Sequence, residues 1–315
     1  MTTLPFTPVL ARPLPHTVTP FPNETLTSYF YRLARVNRSE PRIIRVPSRW
    51  LPCSLNDLEL LEVLSGQPRV SLVWAIPELR RYAPHIARPP KNYGVLSRLA
   101  CSHCTARSGS TIHIRVHVRG LYQNVCVRHR LWLTAGAGNH HQQINLRHAP
   151  EVVRAQIAIN RLVRRHGEQF IADCYRECGR FWGEVDRRGI VRSEAVKTLS
   201  RLVNADHLGM PLRHEPISRF RQAARFPQLT RFTIFMASLV FRDPGTCSVE
   251  VTEKVIATEF ERVFPFDYRP RSVTGPWLRS TLLDLLSRME ARARNLGFAE
   301  GAVVSDAKTT NIRRH

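Results

Sequence analysis

The sequence lacks the features of secreted and membrane proteins. No apolar run reaches the roughly 18 residues that a membrane-spanning helix needs. The N-terminus has no basic stretch followed by an apolar one, the pattern of a signal peptide. Seven cysteines, an odd number, do not resemble the paired set of a secreted disulfide framework. We therefore expect a cytoplasmic protein that does not enter a membrane.

Lysine and acidic residues are both scarce. The 315-residue chain has 47 lysines and arginines against 25 aspartates and glutamates, a formal net charge of +22, and its lysines are Lys91, Lys197, Lys254 and Lys308. Codon bias can explain the preference for arginine over lysine, but it does not explain the shortage of acids. Because the planar arginine fork suits phosphates and guanine edges, this charge favours polyanions as partners.

Acidic residues are absent altogether from one long internal stretch. None occurs between Glu78 and Glu151, although arginines continue throughout this stretch. A solvated charged surface usually carries both signs, so a run without acids favours contact with a polyanion. Histidines in the same stretch add positive charge at mildly acidic pH.

Familiar catalytic motifs are also missing. The sequence has neither a phosphate-binding glycine loop of the Walker type nor a Gly-x-Ser-x-Gly nucleophile elbow. Pairs of carboxylates such as Glu59 and Glu62 fit the charge pattern of a solvated helix surface. We therefore predict that the protein is not an enzyme.

The chain does contain two metal-binding turns. Cys101 and Cys104 are separated by two residues, as are Cys126 and His129, and 21 residues lie between the two pairs. Two ligands so spaced on a tight turn can face one ion, and a second such turn completes the tetrahedron that Zn²⁺ accepts from sulfur and imidazole. We predict one structural Zn²⁺, because four protein ligands leave no position for water or substrate. The alternatives are a coincidental spacing and His103 in place of His129 as the fourth ligand.

A strand with two different faces connects these turns. Along it an apolar series alternates with a basic one: Ile112, Ile114, Val116 and Val118 against His113, Arg115, His117 and Arg119. A period of two is typical of a strand, so we expect the apolar face to pack beneath the metal site and the other face to be basic. The candidate phosphate contacts are the arginines of this region, Arg107, Arg115, Arg119, Arg128 and Arg130.

The chain divides into segments of different character. We predict a proline-rich extended lead-in (1–22), a helical N-terminal module (23–95), a zinc ribbon (96–135), a larger helical C-terminal domain (150–296) and a disordered tail (297–315). The predicted fold is therefore mostly α, with a small zinc-binding β-knuckle inserted between two helical modules. In the C-terminal domain Cys174 and Cys178 lie on one helix face and are interpreted as core cysteines. Helices are expected on either side of Pro227, over 216–225 and 228–241.

Three helices are predicted at the start of the N-terminal module. Asn23 is a good N-cap for the first, the second runs over 57–65 and ends at Gly66, and Pro68 opens the third. The second and third form either a DNA-reading helix-turn-helix or a plain packed helical hairpin. Glu62 stands where the former motif usually has a small residue, which favours the hairpin.

Three short motifs follow one another in the first half of the chain. They are Pro22-x-Glu24-Thr25-Leu26-x-Ser28-Tyr29-x-x-Arg32-Leu33-Ala34, a segment over 60–79 that ends Ala75-Ile76-Pro77-Glu78-Leu79, and Cys126-x-x-His129-Arg130-x-Trp132-Leu133. Their order and spacing resemble those of the TniQ family, the transposon target-selection proteins that include TnsD. The resemblance covers roughly residues 20–135, and the helical part from Pro150 onward matches no motif of the family. The second Cys-x-x-Cys knuckle often found in the family is replaced here by a segment rich in glycine and histidine, which argues against a second zinc.

The resemblance implies a non-catalytic adaptor. Proteins of this family bind a target site or an RNA-guided effector complex and recruit an AAA+ ATPase, TnsC, which licenses the transposase. The implied partners are therefore DNA and a TnsC-like ATPase, with a transposase or an RNA-guided effector complex as further candidates. The alternatives are a stand-alone transcriptional regulator or protein-interaction scaffold with the same architecture, and a nucleic-acid enzyme with an unrecognised site.

Overall fold

The computed structural model describes residues 12–40, 56–89, 96–107, 113–118, 120–133, 143–187, 197–198, 200–202, 218–241, 258 and 276–296. Within these ranges the chain is mostly helical with two small antiparallel sheets, which confirms the predicted balance of helix and strand. The chain forms two compact units, Met1–Val153 with Leu202–Phe220, and Arg154–Arg201 with Arg221–His315. None of the described helices has both the length and the apolarity required to cross a bilayer. The predicted tail over 297–315 lies outside the described residues.

Helix α1 spans Leu26–Val36 and begins later than the sequence predicted. Its N-cap is Thr25, whose hydroxyl accepts a hydrogen bond from the Ser28 amide at 3.2 Å. The prediction of Asn23 as the cap was wrong, because Asn23 adopts a φ of 59°, whereas a capping residue is extended. Asn23 is thus a residue type that caps helices well, but here it lies in a left-handed turn two residues before the actual N-cap, Thr25.

The next two helices confirm their predicted boundaries. α2 spans Asp57–Ser65, begins with a capping box between Asn56 and Glu59, and ends at Gly66, whose φ of 62° supplies a left-handed cap. α3 follows over Arg69–Ala75, and a 3-10 helix over Pro77–Tyr82 continues the chain.

These helices share one apolar core with the segment that precedes them. Its buried residues include Tyr29, Phe30 and Leu33 of α1, Leu58 and Leu61 of α2, and Leu72, Val73, Ile76 and Leu79 from α3 and the 3-10 helix. Val18 is buried in the same cluster and accepts a hydrogen bond from the Tyr29 hydroxyl at 2.7 Å. The described part of the lead-in, residues 12–22, therefore packs on the module.

The exposed face of α3 bears on the two interpretations of the α2–α3 pair. Val70 and Trp74 are 53% and 59% exposed on this face. Arg69 forms an ion pair with Glu62 at 2.9 Å, and Glu62 is the residue that departs from the helix-turn-helix pattern. Base recognition needs polar groups directed at base edges, so this face favours the packed hairpin.

The ribbon is joined to the N-terminal helices through its first sheet. β1 (Ser97–Leu99) pairs antiparallel with β2 (Arg115–His117). On the other edge of β2, the Arg115 carbonyl accepts from the Thr25 amide at 2.9 Å and the His117 amide donates to the Asn23 carbonyl at 2.8 Å. Both edges of β2 are thus hydrogen-bonded, and the chain just before α1 continues the sheet.

A second sheet carries the later part of the ribbon. β3 (Val125–Cys126), β4 (Leu131–Trp132) and β5 (Ile144–Asn145) form an antiparallel sheet in that order. Trp132 is buried and lies in register with Val125 on one side and Ile144 on the other. Val125, Leu131 and Ile144 are also buried, so these short strands share an apolar packing around Trp132.

Four long helices follow the ribbon in the part of the chain that the structure describes. They are α5 (Pro150–His166), α6 (Glu168–Arg187), α7 (Ser218–Val240) and α8 (Pro276–Asn295). α7 is a single helix with Pro227 inside it, so the predicted break was wrong. Phe226 and Phe232 on either side of this proline are buried, and we attribute the continuity to their packing, which outweighs the missing hydrogen bond.

The two cysteines of α6 are core residues, as predicted. Cys174 and Cys178 are both buried, and burial raises the pKa of both thiols, that of Cys178 to about 12. A thiol so shifted stays protonated and behaves as a small apolar group.

Candidate metal centre

The first pair of cysteines lies at the beginning of a short helix, α4 (Ser102–Arg107). Cys101 immediately precedes the helix and Cys104 lies in its first turn. The Cys101 carbonyl accepts a hydrogen bond from the Thr105 amide at 3.0 Å, and the Thr105 hydroxyl donates to the Ser102 carbonyl at 2.9 Å. These bonds fix the turn that brings the two sulfurs together.

The second pair lies on the hairpin between β3 and β4. Cys126 ends β3, and residues 127–130 reverse the chain so that Cys126 comes into register with Leu131. Arg130 completes the reversal with a φ of 52°, a backbone conformation uncommon for residues other than glycine. His129 lies on this turn with its ring beside the Cys126 sulfur.

The four ligand atoms form one compact cluster. Nδ1 of His129 lies 3.3 Å from Sγ of Cys101, 3.3 Å from Sγ of Cys104 and 3.6 Å from Sγ of Cys126. The sulfurs of Cys104 and Cys126 are 3.8 Å apart, well beyond a disulfide bond, and all four atoms lie within 4.8 Å of one another. Zn–S bonds of about 2.3 Å and a Zn–N bond of about 2.0–2.1 Å imply tetrahedron edges of about 3.8 Å between sulfurs and about 3.6 Å between sulfur and nitrogen. The four residues can therefore hold one tetrahedral metal ion.

His103 lies outside this cluster. It is exposed on α4, and its ring centroid is 5.3 Å from that of His129. Because Nδ1 of His129 faces all three sulfurs, the geometry supports His129 over His103 as the fourth ligand.

The cluster favours a thiolate at Cys126. A hydrogen bond from Cys101 is the main cause that lowers the pKa of Cys126 to about 5, and the His129 amide adds to it. The same bond raises the pKa of Cys101, and burial raises that of Cys104. Since metal-bound cysteines are thiolates, binding of an ion must displace the protons of these two thiols, and affinity falls as pH falls.

A glutamine outside both motifs connects the two halves of the site. Oε1 of Gln143 accepts from the Ser102 amide at 3.0 Å, and its Nε2 donates to the Ala100 carbonyl at 2.7 Å. Gln143 directly precedes β5, which pairs with β4. It therefore fixes the first turn relative to the hairpin, a role that no sequence signal reveals.

A buried arginine makes a second connection. Arg98 in β1 is 1% exposed. Its Nη1 donates to the Asn124 side chain and, at 3.3 Å, to the Leu133 carbonyl. Asn124 and Leu133 flank the β3–β4 hairpin. The Arg98 guanidinium is therefore hydrogen-bonded inside the ribbon and is not available to a polyanion.

The predicted phosphate contacts lie in two kinds of environment. Arg107 is exposed at the end of α4, and Arg128 and Arg130 are exposed on the turn between β3 and β4. Arg115 is half-buried and its guanidinium donates to the hydroxyl and carbonyl of Ser97 at 3.2–3.3 Å. Arg119 lies outside the described residues, as does Ile112 of the apolar series. Ile114 and Val118 of that series are buried, as expected, whereas Val116 is half-buried.

His117, the next basic residue of the strand, contacts the N-terminal module. Its Nε2 lies 2.6 Å from Oε1 of Glu78, which also accepts from the Leu26 amide at 3.0 Å. Burial opposes ionisation of Glu78, but the hydrogen bonds from His117 and Leu26 outweigh it and hold the pKa of Glu78 below its usual range. The basic face predicted for this strand is thus largely engaged within the protein at Arg115 and His117.

The Glu78 contacts predict an acid-dependent contribution to stability. We expect Glu78→Gln to lower the free energy of unfolding by on the order of 1 kcal/mol near neutral pH. Because the folded-state pKa is lowered, the carboxylate contributes fully above its unfolded value of about 4.3, and the contribution disappears as the pH falls through the folded value. Denaturant unfolding of the two proteins should therefore converge in acid. Release of the metal in acid affects both proteins alike. A difference in unfolding free energy between wild type and Glu78→Gln that persists in strong acid would therefore contradict this account.

Comparisons with known proteins leave the site to be interpreted from its own residues. No protein-family model, no curated protein and no solved structure matches this chain. What the centre does is therefore inferred below from its ligands, distances and charges.

Proposed function

We propose that Cys101, Cys104, Cys126 and His129 hold one structural Zn²⁺, and that the protein is a non-catalytic, DNA-binding targeting adaptor in transposition that recruits an AAA+ ATPase to a target site. The observation that carries this proposal is the cluster of four ligand atoms itself, within a ribbon whose sequence contains arginines and no acids. The metal organises the surface on which those arginines lie.

The donor set supports zinc as the metal. Three sulfurs and one imidazole form a soft set, and Zn²⁺ accepts it in a tetrahedron without any preference imposed by d-electrons. The separations of the ligand atoms are close to the edges expected for Zn–S and Zn–N bonds. Four protein ligands fill the coordination sphere, so the ion stabilises the fold and does not take part in a reaction.

The exposed arginines support DNA as the partner. Arg107 ends the short helix that carries Cys104, and Arg128 lies on the turn that carries His129. No acid occurs between Glu78 and Glu151 to neutralise them. Guanidinium groups form charge-assisted, bidentate hydrogen bonds with phosphate. Such contacts fix the protein on a duplex without reading its sequence.

The adaptor role rests on the resemblance to the TniQ family, and the structure gives the first motif a physical explanation. Within that motif the carboxylate of Glu24 accepts from Arg32 at 2.7 and 2.8 Å and from the Ser28 hydroxyl at 3.0 Å. Thr25 caps the helix on which Ser28 and Arg32 lie. Residues so engaged with one another support a shared fold, while recognition of the target falls to other parts of the chain.

We expect Arg107→Gln with Arg128→Gln to weaken DNA binding and its salt dependence. Each phosphate contact contributes about 0.9 to the slope of log affinity against log salt, so losing two should reduce the slope by roughly two units. Arg115→Gln should cause a smaller change, because its guanidinium is bonded to Ser97. Titration of duplex DNA at several salt concentrations measures this, and zinc content should be unchanged in all variants. A slope unaltered by the double substitution would assign these arginines to a protein partner.

The recruitment step predicts a specific partner. This chain should co-purify with an AAA+ ATPase encoded beside it and should not hydrolyse nucleotides alone. The zinc-free variant Cys126→Ser tests whether the ribbon is needed for that contact. DNA binding without any ATPase association would favour the stand-alone regulator, and reproducible nucleotide hydrolysis by the isolated chain would contradict the proposal.

A further inference from the structure

A row of arginines lies along the exposed face of α5, the helix that follows the ribbon. Arg154, Arg161 and Arg165 are all exposed, and Arg164 is exposed beside them. We call these four residues the α5 stripe. None of them belongs to the ribbon, and no motif of the sequence marked them.

The helix geometry places three of the four stripe arginines on one line, with Arg164 to one side. At 3.6 residues per turn, Arg154, Arg161 and Arg165 lie within an arc of about 40°, and a rise of 1.5 Å per residue extends them over about 16 Å. The opposite side of the helix is buried, with Val152, Val153, Ala155, Gln156 and Ile159 in the interior. The stripe is therefore held on a helix whose other face is fixed by packing.

Several other arginines of the helical part are paired with acids, whereas those of the stripe are not. On α6, Arg176 pairs with Asp173 at 2.7 Å and Arg180 with Glu177 at 2.8 Å. On α8, Arg292 pairs with the same two acids at 3.2 and 3.0 Å. In the described part of the chain, no ion pair joins a stripe arginine to a carboxylate.

The helix dipole does not account for this arrangement. Cations are favourable in the last turn of a helix, which suits Arg164 and Arg165. Arg154, however, lies near the positive N-terminal end of α5, where a cation gains nothing from the dipole. An external anion that extends along the helix explains all of the positions.

We infer that the α5 stripe is a second surface for the phosphate backbone of duplex DNA, separate from the arginines of the ribbon. This inference rests on the proposed DNA-binding function. A helix packed along one side presents its charges at fixed spacing, which suits the regular phosphates of a duplex better than a flexible single strand. An anionic lipid surface is disfavoured, since an interfacial helix inserts its apolar face and that of α5 is buried in the fold.

The test compares two pairs of arginines that change the net charge equally. Arg161→Gln with Arg165→Gln removes two stripe arginines, and Arg176→Gln with Arg180→Gln removes two exposed arginines that are paired with acids. Titration of duplex DNA at several salt concentrations should give a slope lower by about two units for the first pair and little changed for the second. Thermal unfolding and zinc content show that each variant is folded.

The outcomes separate this inference from the function on which it rests. Equal slope changes in the two pairs, or none in the stripe pair, would overturn the inference. If the ribbon variant Arg107→Gln with Arg128→Gln still lowers the slope of log affinity against log salt in that case, the protein binds DNA without the stripe. If the wild-type chain does not bind duplex DNA, the proposed function itself fails. A stripe effect seen only with single-stranded DNA would also overturn the assignment to a duplex.

Discussion

Replacing Cys126 with serine is expected to reduce the bound zinc from about one ion per chain to none and to unfold the ribbon. The reason is that folding and binding share the same free energy, which amounts to about 10–16 kcal/mol for structural zinc sites near neutral pH. The strands of the ribbon are two or three residues long, too short to persist without support. Elemental analysis measures the zinc, and hydrogen exchange of the β3–β5 amides reports the unfolding.

Two histidines provide the matched comparison for this prediction. His129→Ala should lose the ion, because its Nδ1 faces the three sulfurs. His103→Ala should keep it, although the two rings lie only 5.3 Å apart. If only the His103 variant lost zinc, His103 and not His129 would be the fourth ligand. Two zincs per wild-type chain, or none, would contradict the single-site assignment.

The features that the sequence predicted correctly are those specified by neighbouring residues. The Cys-x-x-Cys and Cys-x-x-His spacings define turns that bring two ligands together, whatever the surrounding fold. The end of α2 was also determined by a local residue, because Gly66 readily adopts the left-handed conformation of the cap that it forms. In both cases one or two residues determine the geometry and few distant contacts can alter it.

The features that sequence reasoning missed depend on distant contacts. An alternating strand predicts two faces, but it does not show that residues 23–25 pair with one edge of β2 or that Glu78 meets His117. The start of α1 was misplaced for the same reason, because Asn23 is held in a turn by this pairing. Gln143 and Arg98 support the metal site through partners 26 to 43 residues away.

The segment from Pro22 to Ala34 shows how contacts between residues far apart in sequence hold the N-terminal module together. Both carboxylate oxygens of Glu24 accept hydrogen bonds from the Arg32 guanidinium. The same carboxylate also accepts from the Ser28 hydroxyl and, at 2.9 Å, from the Phe21 amide. Arg32 also donates to the Thr19 carbonyl at 2.8 Å, and the Ser28 hydroxyl accepts from the Arg115 amide at 3.0 Å. One buried ion pair thus ties together the lead-in, α1 and the ribbon strand.

Replacing Arg32 with methionine is therefore expected to destabilise this part of the protein by about 3–5 kcal/mol. Glu24 is fully buried and Arg32 is 5% exposed, so the substitution leaves a carboxylate without its counterion and away from water. A buried charge in that state is far more costly than the loss of an exposed pair. Denaturant unfolding measures the change, and amide exchange in α1 and β2 shows whether it is local.

Two further variants separate the charge from the packing of the side chain. Arg35 lies on the same helix and is exposed, so Arg35→Met should change stability by no more than about 0.5 kcal/mol. Glu24→Gln combined with Arg32→Met removes both charges and should be less destabilising than Arg32→Met alone, because no unpaired carboxylate remains. A double variant at least as unstable as Arg32→Met alone would mean that the unpaired carboxylate is not the source of the loss. The residues of the motif would then act through shape and hydrogen bonding and not through their opposite charges.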